Sequence, residues 1–280
     1  MIVIEPHIHL LCRTTDDYDR LFASGVVAVT EPAFWAGFDR GTPAAFEVYY
    51  QQITSYERAR AARHGIDYYC WMCLNPKEAE DLGLAREVMK LLPKYLACEN
   101  CLGVGEIGLN RNTKNELEIL ERHIQLAEDL NQLILVHTPH LEDKLKGTKL
   151  IVDAIKNHPK INPERVLIDH MEEHTLRIPR DAGMWAGLTL YPDTKCTPRR
   201  AADIVERFGA DKLWINSAAD WGPSDPFAVF AFMAEMLHRG HDRALVQRIV
   251  YDNPAGFLSK SPKFKWPAKA EQAMASGRRT

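Results

Sequence analysis

Eight short apolar runs rich in β-branched and aromatic residues recur along the chain at intervals of roughly 20 to 40 residues. They cover Ile2–His9, Val26–Thr30, Asp67–Leu74, Leu102–Leu109, Gln132–His137, Arg165–His170, Met184–Leu190 and Lys212–Ser217. Strands that are apolar almost without interruption are buried on both faces, as in a parallel sheet covered by helices. The segments between them carry helical periodicity, clearest over Asn115–Leu130, where Leu117, Leu120, Ile124 and Ala127 fall on one face. Eight such units close into a (β/α)8 barrel. A doubly wound sheet is the competitor, and it has no natural place for eight units. The barrel is expected to span residues 1–258 as one domain. Residues 259–280 read as a basic tail, with Lys260, Lys263, Lys265, Lys269, Arg278 and Arg279, either solvated or docked on a partner.

Acids and imidazoles fall repeatedly where those runs end, which is where barrels of this kind carry their chemistry. His7 and His9 close the first run and share a face, because side chains alternate along a strand. Glu106 lies in the fourth run, His137 ends the fifth, His170 ends the sixth and Asp220 follows the eighth. Singly, each has an ordinary role as a core histidine, a paired acid or a helix cap. Four imidazoles and two carboxylates at one barrel mouth instead point to a metal centre. Mixed nitrogen and oxygen ligands suit Zn, with Mn, Fe, Co or Ni as alternatives, better than Mg or Ca. Six ligands exceed the three of a lone catalytic zinc, so one or two divalent ions are expected, with Glu106 as the bridge. Asp220 then orients or deprotonates a water as general base, and the chemistry is hydrolysis.

The remaining composition narrows the setting. A net charge of −3 over 280 residues gives no global attraction to nucleic acid or an anionic membrane. No apolar run approaches the roughly 20 residues of a membrane helix. The first residues lack a positive segment followed by a long apolar one, so no secretory signal is read and a cytoplasmic protein is expected. Cys70-Trp-Met-Cys73 and Cys98-Glu-Asn-Cys101 mimic a zinc ribbon. Residues three apart on a strand face opposite sides, however, so buried free thiols are the better reading. Self-association into a homo-oligomer stays open.

These residues resemble the TatD-like metal-dependent hydrolases of the amidohydrolase superfamily. The resemblance rests on His7-x-His9, on Gly105-Glu106-Ile-Gly-Leu109 before a long helix, and on Leu126-Ala-Glu-Asp-Leu-Asn131 leading into Leu135-Val-His137. His170 and the closing Asn253-Pro-Ala-Gly-Phe-Leu258 complete it. It implies a (β/α)8 barrel, one or two divalent metals, and His7, His9, Glu106, His137, His170 and Asp220 as the metal shell. The substrate side departs from the family. Cys73-Leu-Asn75-Pro76 stands where the family has a histidine before proline. His170-Met-Glu-Glu-His174 replaces His-Cys-Phe-Ser-Gly, and Asn216-Ser-Ala-Ala-Asp220 is longer than Glu-Thr-Asp. The expected substrate is therefore a small-molecule ester, amide, lactone or phosphoester rather than the family's DNA. His140, His174, Arg13, Arg111 and Trp221 are candidate substrate contacts. A DNase of the usual TatD kind and a metal-binding scaffold without turnover are the competing readings.

Overall fold

The computed structural model describes residues 1–140 and 143–267. Eight parallel strands follow one another in chain order, β1 (Val3–Glu5), β2 (Val26–Pro32), β3 (Asp67–Met72), β4 (Cys101–Gly108), β5 (Leu133–His137), β6 (Val166–Ile168), β7 (Trp185–Thr189) and β8 (Leu213–Asn216). Each pairs with the next, from Ile4 beside Ala28 to Thr189 beside Asn216. The gap between β8 and β1 is bridged just past the strand ends, where Ala218 N donates to His7 O at 2.8 Å and His9 N donates to Ala219 O at 2.9 Å. This is the expected (β/α)8 barrel. β1 and β6 are shorter than their apolar runs, so His7, His9 and His170 leave the sheet and stand above its rim.

Helices surround the barrel, and their caps are written in the sequence. Thr113 and Glu116 form a reciprocal capping box at the start of Lys114–Asp129. Glu116 also accepts the Asn110 and Arg111 amides, which pins the loop after β4. Between β2 and β3 stand two helices, Pro43–Gln51 and Glu57–Arg63, joined by a π-helical turn at Gln52–Tyr56. There the Thr54 and Ser55 hydroxyls donate to the Tyr50 and Gln51 carbonyls and widen the coil. The short helix Arg177–Asp181 was hidden from periodicity by its length and by Pro179.

Inside the barrel, Ile4, Ala28, Trp71, Leu102, Leu133, Leu135, Leu167 and Trp214 form a dry lower layer. Phe257 and Phe264 close it from below, with Phe264 packed on Tyr69 at 5.1 Å. The first part of the tail is thus not free. Lys265 N donates to the Tyr69 hydroxyl, and Lys263 Nζ donates to the Leu96 carbonyl. Lys269, Arg278 and Arg279 lie outside the described residues. Among the described residues no helix is long and apolar enough to cross a membrane. All six cysteines are free, and Cys70 and Cys73 bond to different carbonyls, of Asn100 and of Ala33 and Glu106.

Candidate metal centre

The bend after β1 is fixed from below. The Thr30 hydroxyl donates to the Pro6 carbonyl at 2.6 Å and accepts from the Trp71 indole at 2.8 Å. His7 and His9 then turn toward each other, with their Nε2 atoms 3.2 Å apart. His9 stacks on Phe34 with ring centres 3.8 Å apart. From the far side, Glu106 Oε1 lies 2.8 Å from both His137 Nδ1 and His170 Nε2, and those nitrogens are 3.1 Å apart. Glu106 Oε2 is 3.9 Å from His7 Nε2. Two donor groups result, His7–His9–Glu106 and Glu106–His137–His170, each with its ligand atoms within 4.8 Å of one another. Glu106 belongs to both.

The donor set fits divalent ions. Two imidazole nitrogens about 2.05 Å from one tetrahedral ion lie about 3.3 Å apart, close to the spacings here. Protonation matches as well, since ligands must be neutral imidazole and ionised carboxylate. Burial holds His9 and His170 well below the usual imidazole range, and it lowers His137 against the pull of Glu106. Burial alone pushes Glu106 up, but the charges of His137 and His7 and the contacts with His137 and His170 outweigh it. The carboxyl stays well below its usual range.

Sequence reasoning missed Asp169, the buried carboxylate behind the centre. Its Oδ2 lies 2.7 Å from His7 Nδ1, so the proton belongs on Nδ1 and the His7 Nε2 lone pair faces the site. The same carboxylate accepts from the His170 amide at 2.7 Å, from Thr189 at 3.2 Å, and from Asn216 Nδ2 at 3.0 and 2.9 Å. Gly187 makes the space, because a Cβ there would sit 2.2 Å from Asp169 Oδ1. One signal was available: Asp169 is two residues past the interior Leu167, so alternation aims it inward.

The donors line a cavity of about 290 Å³ whose walls include Phe34, Trp35, Tyr191, Lys195, Asp220 and Trp221. Asp220, expected in the metal shell, joins neither donor group. The longer turn after β8 explains this: Ala218 (φ 42°) spends its amide on His7 O, and Asp220 follows two residues later at the wall. There its Oδ1 accepts from the Tyr191 hydroxyl at 2.9 Å and from Gly222 N at 2.8 Å. His140 lines the cavity with its Nδ1 buried and, among the described residues, without a hydrogen-bond partner, and burial pushes it down to about 3. Trp221 is 55% exposed at the mouth and meets Trp35 edge to face. Arg13 does not face the cavity; it donates to Asp17 and to the Asp220 carbonyl and so holds that loop. Arg111 lines an adjoining cavity of about 550 Å³ that shares Trp35, Lys77 and His140 with the first. His174 is exposed outside both, 3.9 Å from Glu172, because the chain after His170 turns outward. The cavity residues Tyr191, Lys195 and Lys77 gave no sequence signal, since loops bring them in.

Comparison with known proteins bears on the family and the fold. The family model for TatD related DNase matches residues 7–189. An uncharacterised metal-dependent hydrolase of Methanocaldococcus jannaschii is 27% identical over 258 residues, covering 91% of this chain and 99% of its own. Two solved structures share the fold. The TatD-like protein of Archaeoglobus fulgidus has a TM-score of 0.73 at 22% identity, with 91% of this chain and 99% of that one covered. The phosphotriesterase homology protein of Escherichia coli, with phosphate in its active site, has a TM-score of 0.68 at 12% identity, covering 91% and 98%. The chain belongs to the TatD-related family and is a TatD-like metal-dependent hydrolase.

Proposed function

We propose that the chain hydrolyses a small-molecule ester, amide, lactone or phosphoester at a two-ion centre, with zinc as the first candidate metal. His7, His9 and Glu106 would hold one ion, and Glu106, His137 and His170 the other. Ions there would polarise the scissile carbonyl or phosphoryl oxygen and make a water more acidic. Glu106 serves both groups, so its loss disables both together. Asp169 keeps the His7 lone pair turned inward. Asp220 accepts the water proton: it lines the cavity, Tyr191 and Gly222 orient it through Oδ1, and among the described residues Oδ2 has no hydrogen-bond partner. A place in the amidohydrolase superfamily and a cytoplasmic setting belong to the same reading.

The single observation that carries it is Glu106 shared between two donor groups on the wall of an open cavity. A cavity of about 290 Å³ suits a small molecule. The family's DNase description supports a second reading, cleavage of DNA phosphodiesters. The test is elemental analysis beside a panel of chromogenic esters, lactones and phosphoesters and a single-stranded DNA. Stoichiometric metal and turnover of a small substrate, both lost in Glu106→Gln and His7→Ala, are expected. Metal-loaded protein without turnover would leave a scaffold, and cleavage confined to DNA would leave the nuclease.

A further inference from the structure

Lys195 is a cavity residue that the hydrolytic reading leaves without a task. It stands in the loop after β7, which folds back on itself. Tyr191 N donates to Cys196 O at 3.2 Å, and Cys196 N donates to Thr189 O at 3.0 Å. That return carries Lys195 to the wall of the cavity that holds the donor groups. Its ammonium sits 4.4 Å from the centre of the Tyr191 ring. Among the described residues its ammonium has neither an ion pair nor a hydrogen bond; Lys77, the other cavity ammonium, also meets only a ring, that of Trp35 at 4.6 Å, but is exposed to solvent, and two neighbouring cations are paired. Lys144 donates to the His170 carbonyl and lies 3.3 Å from Glu172, and Arg13 is held by Asp17.

A half-buried ammonium with no anion in contact has given up hydration for a ring face and the more distant charges of Glu106 and Asp220. Burial accordingly pushes Lys195 down to about 8. The charge balance makes the position odder still. Each donor group contributes one carboxylate, and it is the same one, Glu106. Counting also Asp169 against His7 and Asp193 and Asp220 on the wall, two divalent ions would only balance the carboxylates, and the ammoniums of Lys195 and Lys77 then leave the cavity positive. A negatively charged group on the substrate answers both problems, because it supplies the missing partner and the missing charge.

Resting on the hydrolytic reading above, we propose that Lys195 is the recognition residue for an oxyanion carried by the substrate, a phosphoryl or a carboxylate group. Lys195 sets specificity, and the loop closure between Tyr191 and Cys196 positions it. Substrates of the site are then small anions, and uncharged esters of the same size bind less tightly.

The test is calorimetric titration of zinc-loaded protein with inorganic phosphate and, separately, acetate, with metal content measured on the same samples. Wild-type protein is expected to bind at least one of the two, and which one it prefers separates phosphoryl from carboxylate recognition. Lys195→Gln should weaken that binding by about 10-fold or more at unchanged metal content, and Lys195→Arg should stay within about threefold of wild type. In wild-type protein, the bound anion should also protect Lys195 from amine acetylation, read by mass spectrometry. That measurement needs no variant to fold. Wild-type affinity in Lys195→Gln, no anion binding by wild type, or unprotected Lys195 at saturating anion would each overturn the assignment. A wild-type protein without stoichiometric metal would instead remove the hydrolytic reading beneath it.

Discussion

Replacing Asp169 by Asn tests whether the centre depends on a tautomer. Every group around this carboxylate is a donor: His7 Nδ1 at 2.7 Å and Asn216 Nδ2 at 2.9 Å on Oδ2, with the His170 amide at 2.7 Å on Oδ1. The backbone amide cannot reverse, so an asparagine must keep its oxygen toward His170 N. Its NH2 then faces His7. Asn216 can adapt by turning its amide, whose own oxygen is buried and without a partner among the described residues. His7 adapts only by moving its proton from Nδ1 to Nε2. That nitrogen is the one 3.2 Å from His9 Nε2, and a protonated nitrogen ligates nothing. Losing such an outer partner weakens metal affinity by about 10- to 100-fold, or about 1.4 to 2.7 kcal/mol. Asp169→Asn should therefore lose that much affinity for the ion held by His7 and His9, and less for the ion between His137 and His170. Chelator competition with stoichiometry read by elemental analysis gives both constants, and nitrogen NMR of His7 reports the tautomer. Two wild-type affinities, or an unchanged His7 tautomer, would refute the reasoning.

Three further outcomes are expected. Gly187→Ala would put a Cβ 2.2 Å from Asp169 Oδ1 and 2.5 Å from Trp214 Nε1, both packed in place. It should cost about 1–3 kcal/mol in urea unfolding and lower metal affinity with it. Glu31 is pushed up to about 8, mainly by burial, so between the unfolded value near 4.5 and that value the folded chain holds a proton the unfolded chain has released. Stability from this group is complete at low pH and is lost as pH rises through that window, with a slope of up to about 1.4 kcal/mol per pH unit. Glu31→Gln should flatten that part of the profile, since the Tyr68 hydroxyl at 2.8 Å can rotate to meet an amide. Trp221→Ala removes half-exposed ring area at the mouth. It should raise KM several-fold with kcat and metal content nearly unchanged, whereas loss of bound metal would show that the ring is structural.

The barrel was legible because eight apolar runs leave few other ways to bury both faces, and each run contains most or all of one observed strand, although β1 and β6 end well short of theirs. Alternation also made the donors legible: once His7 and His9 share a face and Glu106 points inward, a closed sheet brings them near His137 and His170. What the sequence hid depends on loops. Asp220 could be counted from the end of β8, but whether it reaches the centre depends on the bend at Ala218, which the sequence does not announce. Lys195 enters the cavity only through the return from Tyr191 to Cys196, and His174 leaves it by an outward turn. Asp169 is a different case. Its inward position could be read, but its service to His7, 162 residues away in sequence, requires the barrel to close so that β6 comes within three strands of β1.

The same burial that stabilises the fold prepares the centre for metal. Isolated imidazoles titrate near neutrality, yet His9 and His170 are held well below that range by the surrounding protein, so acid must compete against burial as well as against ions. Glu106 carries the opposite bias and remains ionised because the imidazoles around it outweigh its own desolvation. A chain that set these states through exposed partners would find them screened by salt. Here the partners are interior and the lower barrel is sealed by Trp71, Trp214 and Phe257. Metal affinity should therefore change little between low and high salt, while oxyanion binding at the more open Lys195 should weaken.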